Sequence, residues 1–443
     1  MTQQSPPAAS KYVKNVFWLF SDRILRMVLG VFVSVWVARY LEPDLFGKWN
    51  YALAYVAIFT AMANLGIDSI VVRTIVRYPA KANVVLGSGF VLLVIGNVIM
   101  FLACMLSAIV TEGLSAESFY VILITSLNLL FNSYFIVEYW IQAKLQSKYT
   151  FWAQNIAFVV GNSFKLYLLI SHAKFEYFIW ISVVEAATLF FTYFVIFKKK
   201  FGAFSDWKFS PRMASLIFKN SWVLIVTNLA IILYMRIDQV MIGKMLSNSD
   251  VGIYSAAVKV AELWYFVPMA IVTSLFPLIL EIRDRDKPNY LPSMQLLYIG
   301  LTWMGIGVAV FFTLFANFIV GLIYGTEYLG AAVPLSISIW CGVFVAQGIA
   351  RGRWLVAENL QSYSIWYVGS GAIVNIGLNF VLIPAYGIVG ACVATLVAQG
   401  TVSILAPLMF PKTRISSVML IKAINPVPLV TFLLKWRSTR QTG

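Results

Sequence analysis

A chain of 443 residues with 60% apolar, 16% aromatic and 12% charged side chains carries about half the charge of a soluble domain, which averages roughly 25%. That composition excludes a disordered chain, a disulfide scaffold and an ordinary cytosolic enzyme, and its natural solvent is a lipid bilayer. The net charge of +15, from 33 Lys+Arg against 18 Asp+Glu, suits either nucleic acid or cationic loops on the cytoplasmic side, and its distribution along the chain decides between them.

The polar start, Met1 to Ser10, lacks a short apolar core followed by a small-residue cleavage site. The first apolar run is therefore read as a retained span. A bilayer-spanning helix needs about 20 mostly apolar residues. Such runs lie near 15–38, 48–67, 84–110, 119–142, 150–171, 176–197, 217–242, 251–280, 293–323, 330–350, 363–383 and 387–409. The expected fold class is an all-α integral membrane protein of about 12 transmembrane helices. The eighth and ninth runs exceed one span, and Pro268 and Pro277 in the eighth are expected kink sites.

With the N-terminus placed in the cytoplasm, the loops sort by charge. Predicted inside segments collect Lys11 and Lys14, Arg73, Arg77 and Lys81, Lys144 and Lys148, Lys198 to Lys200, Lys208, Arg212 and Lys219. Further on they collect Arg283, Arg285 and Lys287, Arg351 and Arg353, then Lys412, Arg414, Lys422, Lys435, Arg437 and Arg440. Predicted outside segments hold Arg39, Lys48, Lys174 and Lys244 alone. This asymmetry puts both termini inside and accounts for the basic surplus without nucleic acid.

The segment 198–216, KKKFGAFSDWKFSPR within it, mixes cations with Phe201, Phe204, Trp207 and Phe209 and is expected to lie on the membrane surface between the two halves. The basic tail 411–443 is expected to be interfacial. A shift of 205 residues, Lys14 onto Lys219, aligns the halves without a gap. KNVFWLF then falls on KNSWVLI, and RYLEPDLFGKWNYA on KMLSNSDVGIYSAA. The expected organisation is an N-lobe over 1–197 with spans one to six and a C-lobe over 217–410 with spans seven to twelve. The two six-helix lobes are related by a parallel internal repeat, with a substrate path between them.

Charged groups inside spans are costly and usually face a cavity or a partner. On helical wheels, Asn15, Asp22, Arg26 and Gly30 share a face of span one, with Arg23 at its edge. Span two aligns Asn50, Ala54, Ala57, Ala61, Asn64 and Asp68, and span four Asn128, Asn132, Tyr139 and Gln142. Span five aligns Gln154, Gly161 and Lys165; span seven Asn220, Thr227, Asn228 and Asp238; span eight Ser255, Lys259, Glu262 and Thr273. The bland alternative is that these groups only bond helix to helix, with Lys259 and Glu262, or Asp22 and Arg26, neutralising each other. Arg236, opposite Asp238, is given a packing or interfacial role. Cys104, Cys341 and Cys392 are scattered through apolar runs and read as core residues, and His172 as a loop residue. No nucleotide-binding loop and no metal-ligand spacing appears, and no cofactor is expected.

At ARYLEPDLFGKWNYALAYVAIFTAMANLGID (38–68), RIDQVMIGKMLSNSDVGIYSAAVKVAELWYFVPMAI (236–271) and NIGLNFVLIPAYGIVGACVATLVAQ (375–399) the chain resembles the Wzx-type polysaccharide flippases of the multidrug/oligosaccharidyl-lipid/polysaccharide exporter superfamily. The turn Ile383-Pro384, Tyr386-Gly387-Ile388 and then Gly390-Ala391 looks typical of that family's last two spans. The resemblance implies a bacterial inner-membrane protein, not an enzyme, that moves an undecaprenyl-pyrophosphate-linked oligosaccharide to the periplasmic leaflet by alternating access. Its implied partners are membrane lipids and polysaccharide polymerase machinery. Arg23, Arg26 and Lys259, with Lys165 a weaker candidate, would hold the pyrophosphate, because cations in a partly dehydrated cavity bind an anion far better than in water. Asp22, Glu262 and Asp238 are the cavity carboxylates and ion-coupling candidates. The runner-up is a multidrug or cation antiporter of the same superfamily. A membrane polymerase or glycosyltransferase would need a sizeable periplasmic loop, which this chain lacks.

Overall fold

A computed structural model describes residues 7–427, with side chains described at residue 30 and from residue 32 onward. The secondary structure of the described residues is helical, joined by turns and short irregular segments, without strands. In chain order the helices are α1 (Pro7–Ala63), α2 (Asp68–Arg77), α3 (Ala82–Glu112), α4 (Glu117–Ser126), α5 (Asn128–Phe131), α6 (Phe135–Ala143), α7 (Ser147–Ile170), α8 (Phe175–Ile179) and α9 (Ile181–Lys200). They continue as α10 (Pro211–Met245), α11 (Asn248–Leu263), α12 (Phe266–Arg285), α13 (Lys287–Leu314), α14 (Ala316–Tyr324), α15 (Ala332–Ser338), α16 (Cys341–Ala357), α17 (Ser364–Gly400), α18 (Ala406–Leu408) and α19 (Arg414–Lys422). Among the described residues eight helical stretches are long and apolar enough to cross a membrane, nine if the bent pair Thr326–Ser338 and Cys341–Ala357 is one span. The protein is a multi-pass membrane protein.

Two of these stretches are broken where the sequence puts a turn. In α1 the backbone leaves the helix at Glu42 (φ 56°, ψ 170°), immediately before Pro43. The proline ring disfavours helical backbone at the residue before it. In α17 the break is at Gly387 (φ 61°, ψ −143°), three residues after Pro384. Only a residue without Cβ reaches that backbone readily. Unbroken, the 37 residues of α17 would run about 55 Å, well past a hydrocarbon core of about 30 Å. The eighth run is also divided: α11 ends at Leu263 and α12 begins at Phe266. The Pro268 ring would meet the carbonyl four residues earlier, at Trp264, so the break falls there. Pro277, the other expected kink, is carried inside the continuous α12.

The chain divides into two compact units, Met1–Ile232 and Leu233–Gly443, so that α10 contributes to both. The core of the first unit is built from α2, α3, α6 and α9 around Ile75, Leu86, Ile136 and Tyr193. The core of the second gathers Met294, Tyr298, Ala350, Trp354 and Tyr367 from α13, α16 and α17. All three cysteines are buried as expected, and His172 sits at φ 48° in the exposed turn after α7.

The segment 198–216 is tied down more firmly than a surface strap. Phe204 and Trp207 stack against Phe194 and Phe197 of α9, with ring centroids 5.1 to 6.3 Å apart. The Lys208 N–H donates to Asn83 O at 3.1 Å, and the Ser210 N–H donates to Ser88 Oγ at 3.0 Å. Phe209 remains exposed. Phe204 and Trp207, expected on the membrane surface, are instead packed against the first unit's core.

Candidate functional site

Polar faces read from single spans converge in the first unit. A cavity of about 370 Å³ is lined by Ala57, Thr60, Ala61 and Asn64 of α1, Asn128 of α5, and Asn228 with Ile231 and Ile232 of α10. The small residues leave the space, and the asparagines supply its polarity. The Oδ1 atoms of Asn64 and Asn128 are buried without a hydrogen-bond partner. A buried amide oxygen without a donor costs about 1–3 kcal/mol, and both oxygens are closed to a water-sized molecule, so the packing around this cavity carries that cost. Other polar residues read onto the same faces are consumed by their own helices. Asn50 donates to Phe46 O at 2.6 Å, Asn220 to Leu216 O at 2.7 Å and Thr227 to Val223 O at 2.9 Å.

Lys165 of α7 is paired. Its Nζ donates to Glu185 Oε1 of α9 at 2.7 Å, with the two side chains 18% and 34% exposed. Gly161, one turn earlier, makes room for that carboxylate, because a Cβ there would overlap the Glu185 side chain. As a cavity cation Lys165 is thus already neutralised.

In the second unit Asp238 of α10 is fully enclosed, 2% exposed. Tyr254 of α11 donates its hydroxyl to Asp238 Oδ2 at 2.6 Å, and Asn379 of α17 donates Nδ2 to Oδ1 at 2.6 Å. Thr395, beyond the Gly387 break, also donates its hydroxyl to Oδ2. Asn375 donates to Thr395 Oγ1 at 3.1 Å. A carboxylate is acceptor-only when ionised, so three donors from three directions hold it in one place. Beside it lies a small cavity of about 50 Å³, lined by Asp238, Tyr254, Glu262, Tyr265, Ser338 and Thr395 among others.

Two of the sequence-predicted carboxylates, Asp238 and Glu262, therefore share one cavity. Glu262 is not left to Lys259 on its own helix: Arg236 Nη2 lies 3.7 Å from Glu262 Oε2. Arg236, given only a packing or interfacial role by the sequence, is an ion-pair partner. Lys259 is half-buried on α11. Asp22, Arg23 and Arg26 lie on α1, with side chains outside the described residues. The residues that sequence reasoning missed are Asn375, Asn379 and Thr395. The first two recur four apart in an apolar helix, the same signal that singled out Asn128 and Asn132.

Residues 12–283 match the profile of the family described as "Polysaccharide biosynthesis protein". The chain belongs to that family. A curated relative, "Probable flippase AglR" of Haloferax volcanii, is 31% identical over 214 residues, covering 46% of this chain and 44% of AglR. The chain spans less than half the length of the curated relatives it matches. Among solved structures, an inward-facing multidrug resistance MATE family transporter of the MOP superfamily superposes with a TM-score of 0.67 at 12% identity, covering 88% of this chain and 94% of that one. The lipid II flippase MurJ in an inward closed conformation gives a TM-score of 0.66 at 14% identity, covering 95% and 93%. The fold of this polysaccharide biosynthesis protein is thus the fold of those membrane transporters.

Proposed function

We propose that the protein is a transporter that moves an undecaprenyl-pyrophosphate-linked oligosaccharide, an O-antigen or similar surface-polysaccharide repeat unit, from the cytoplasmic to the periplasmic leaflet of a bacterial inner membrane by alternating access. The observation that carries this reading is the family match over residues 12–283 on a chain with a transporter fold. The names of AglR, a probable flippase, and MurJ, a lipid II flippase, point to the same class of substrate. Both termini are placed in the cytoplasm by the basic loops. We count twelve spans: the two broken stretches each supply two, and α7 adds one that its polar residues disguise. The halves over 1–197 and 217–410, joined through 198–216 and followed by the tail 411–443, are read as parallel repeats.

In this scheme Arg23, Arg26 and Lys259 hold the pyrophosphate. Lys165 joins them only when it exchanges Glu185 for substrate. The asparagine-lined cavity suits hydroxyl-rich sugar. Asp238, with Glu262 beside it and Asp22 on α1, supplies ion coupling, since an enclosed carboxylate surrounded by oxygen-bearing side chains suits a proton or a small monovalent cation. Handover to polymerase machinery would follow on the periplasmic side.

The second reading, a multidrug or cation antiporter, is favoured by the superposition on the MATE transporter and by the enclosed carboxylate. Expression in strains lacking defined flippases separates the two. Restored surface polysaccharide supports the flippase. Drug resistance without any polysaccharide rescue would replace it with the antiporter.

A further inference from the structure

Arg351, which the sequence reads as a loop cation, is 4% exposed in the core of the second unit. It makes no ion pair among the described residues. Its Nη1 donates to Ser403 O at 2.7 Å, and its guanidinium carbon lies 5.2 Å from the centroid of the Tyr367 ring. Arginine keeps its charge inside proteins, and burying that charge without an opposite one is costly. The scheme above gives this residue no part.

The acceptor accounts for the arginine. After Gly400, α17 passes into a π turn, Thr401–Leu405, in which the Ala406 N–H bonds Thr401 O. In an α-helix Ser403 O would accept from the N–H four residues on. That residue is Pro407, which has none. Arg351 of α16 supplies the missing donor. The Ser403 hydroxyl donates in turn to Phe344 O of α16 at 3.2 Å. One residue of the turn is thus bonded to α16 through both its carbonyl and its hydroxyl.

The same turn touches the helix that builds the Asp238 site. Gly387 breaks α17 into two halves, and these lie against each other at three levels. A Cβ on Gly390 would overlap Leu382 O, Asn375 donates to Thr395 Oγ1 at 3.1 Å, and a Cβ on Gly371 would overlap the Val402 side chain. Gly371, Asn375 and Asn379 recur every four residues and share one face of the first half. The contact that carries Thr395 and the contact made by the π turn are therefore neighbours along that face.

We propose that Arg351 is a positioning residue for the Asp238 site. By supplying the N–H that Pro407 lacks, it fixes the π turn. The turn in turn sets the second half of α17, with Thr395, against the first half, with Asn375 and Asn379. The proposal rests on the coupling role given to Asp238 above.

The test is surface polysaccharide restored in a flippase-deficient strain at matched protein levels. Arg351→Met is expected to lower transport about tenfold, and Arg351→Lys, which keeps a donor, about twofold. Pro407→Ala returns an N–H to position 407, so in that background Arg351→Met should cost less than about twofold. A tenfold loss in both backgrounds overturns the route through Ser403 O. If Arg351→Met alone does not accumulate, its recovery by Pro407→Ala reads the same link, and failure to recover overturns it. Thr395→Val and Arg351→Met together should transport no worse than the poorer single variant; losses that multiply overturn the route through Thr395. Asp238→Asn separates the proposal from the reading beneath it. Normal transport by Asp238→Asn ends the coupling role. Failure of Asp238→Asn beside normal transport by Arg351→Met keeps that role and reduces Arg351 to packing.

Discussion

Asp238→Ala removes an acceptor that three side chains share, and those three do not suffer equally. Thr395 keeps a second acceptor, Ala391 O at 3.0 Å, and Asn379 keeps Asn375 Oδ1 at 3.3 Å. Tyr254, buried at 3% exposure, loses its carboxylate acceptor and keeps the Thr395 hydroxyl as its polar neighbour. The substitution therefore takes the charged acceptor from one buried donor, about 1–3 kcal/mol, and weakens two further bonds to a charged group, together a loss of about 3–5 kcal/mol. Tyr254→Phe removes the donor instead and should cost about 1.5–3 kcal/mol. With both changes the Tyr254 hydroxyl is no longer left without its carboxylate, so the double variant should be about 1–2 kcal/mol more stable than the sum of the singles. Asp238→Asn retains one acceptor oxygen for Asn379, and the two hydroxyls can turn to accept from its amide. It should melt between Asp238→Ala and the wild type, because the Tyr254 O–H still loses its carboxylate acceptor, while failing to restore polysaccharide in a flippase-deficient strain. Thermal melting of purified protein measures the cycle. Additive losses would show that Tyr254 does not depend on Asp238. A fully active Asp238→Asn would remove Asp238 from coupling.

Gly161→Ala should drive the Glu185 carboxylate from its place and destabilise the protein by about 1–3 kcal/mol; Glu185→Ala alone should recover little of the lost melting temperature, because it strands the Lys165 ammonium, whereas Glu185→Ala with Lys165→Met should recover most of it. Gly87→Ala would set a Cβ 2.6 Å from Lys208 O, backbone that cannot yield, so protease cleavage within 198–216 should quicken severalfold while the rest of the chain stays resistant. In complementation at matched protein levels, Arg26→Lys should retain more transport than Arg26→Ala, and Lys259→Arg more than Lys259→Gln; wild-type activity from the alanine variants of Arg23, Arg26 and Lys259 together would remove the proposed pyrophosphate site. Reporter fusions at Gly113, Lys174 and Gly325 should read periplasm and those at Lys81, Gly202 and Asp284 cytoplasm; a periplasmic signal at Gly202 breaks the twelve-span topology.

What could be read from the sequence was whatever one helix determines by itself. Apolar length marks a span and its ends, so the gaps between the runs 15–38 and 48–67 and between 363–383 and 387–409 announced both interruptions before any packing was known, whereas of the two prolines read as kinks Pro268 marks a break and Pro277 is carried inside α12. Helical wheels likewise placed Asn64, Asn128 and Asn228 on polar faces, and the three line one cavity. What could not be read is how charges pair across helices. On a wheel, Lys165 looks the same whether it waits for a phosphate or rests on Glu185, because the partner lies two helices on. Asp238 is similar: its donors come from α11 and from both sides of the Gly387 break. Yet Gly161, on the same face as Lys165, carried a trace of the answer. A membrane helix gives up a side chain where something must come close, and here that something is the carboxylate that neutralises the lysine. Gly30, one turn from Arg26, admits the Phe158 ring instead, so a glycine beside an intramembrane cation marks close packing, and the neighbour it admits decides whether the charge is paired there.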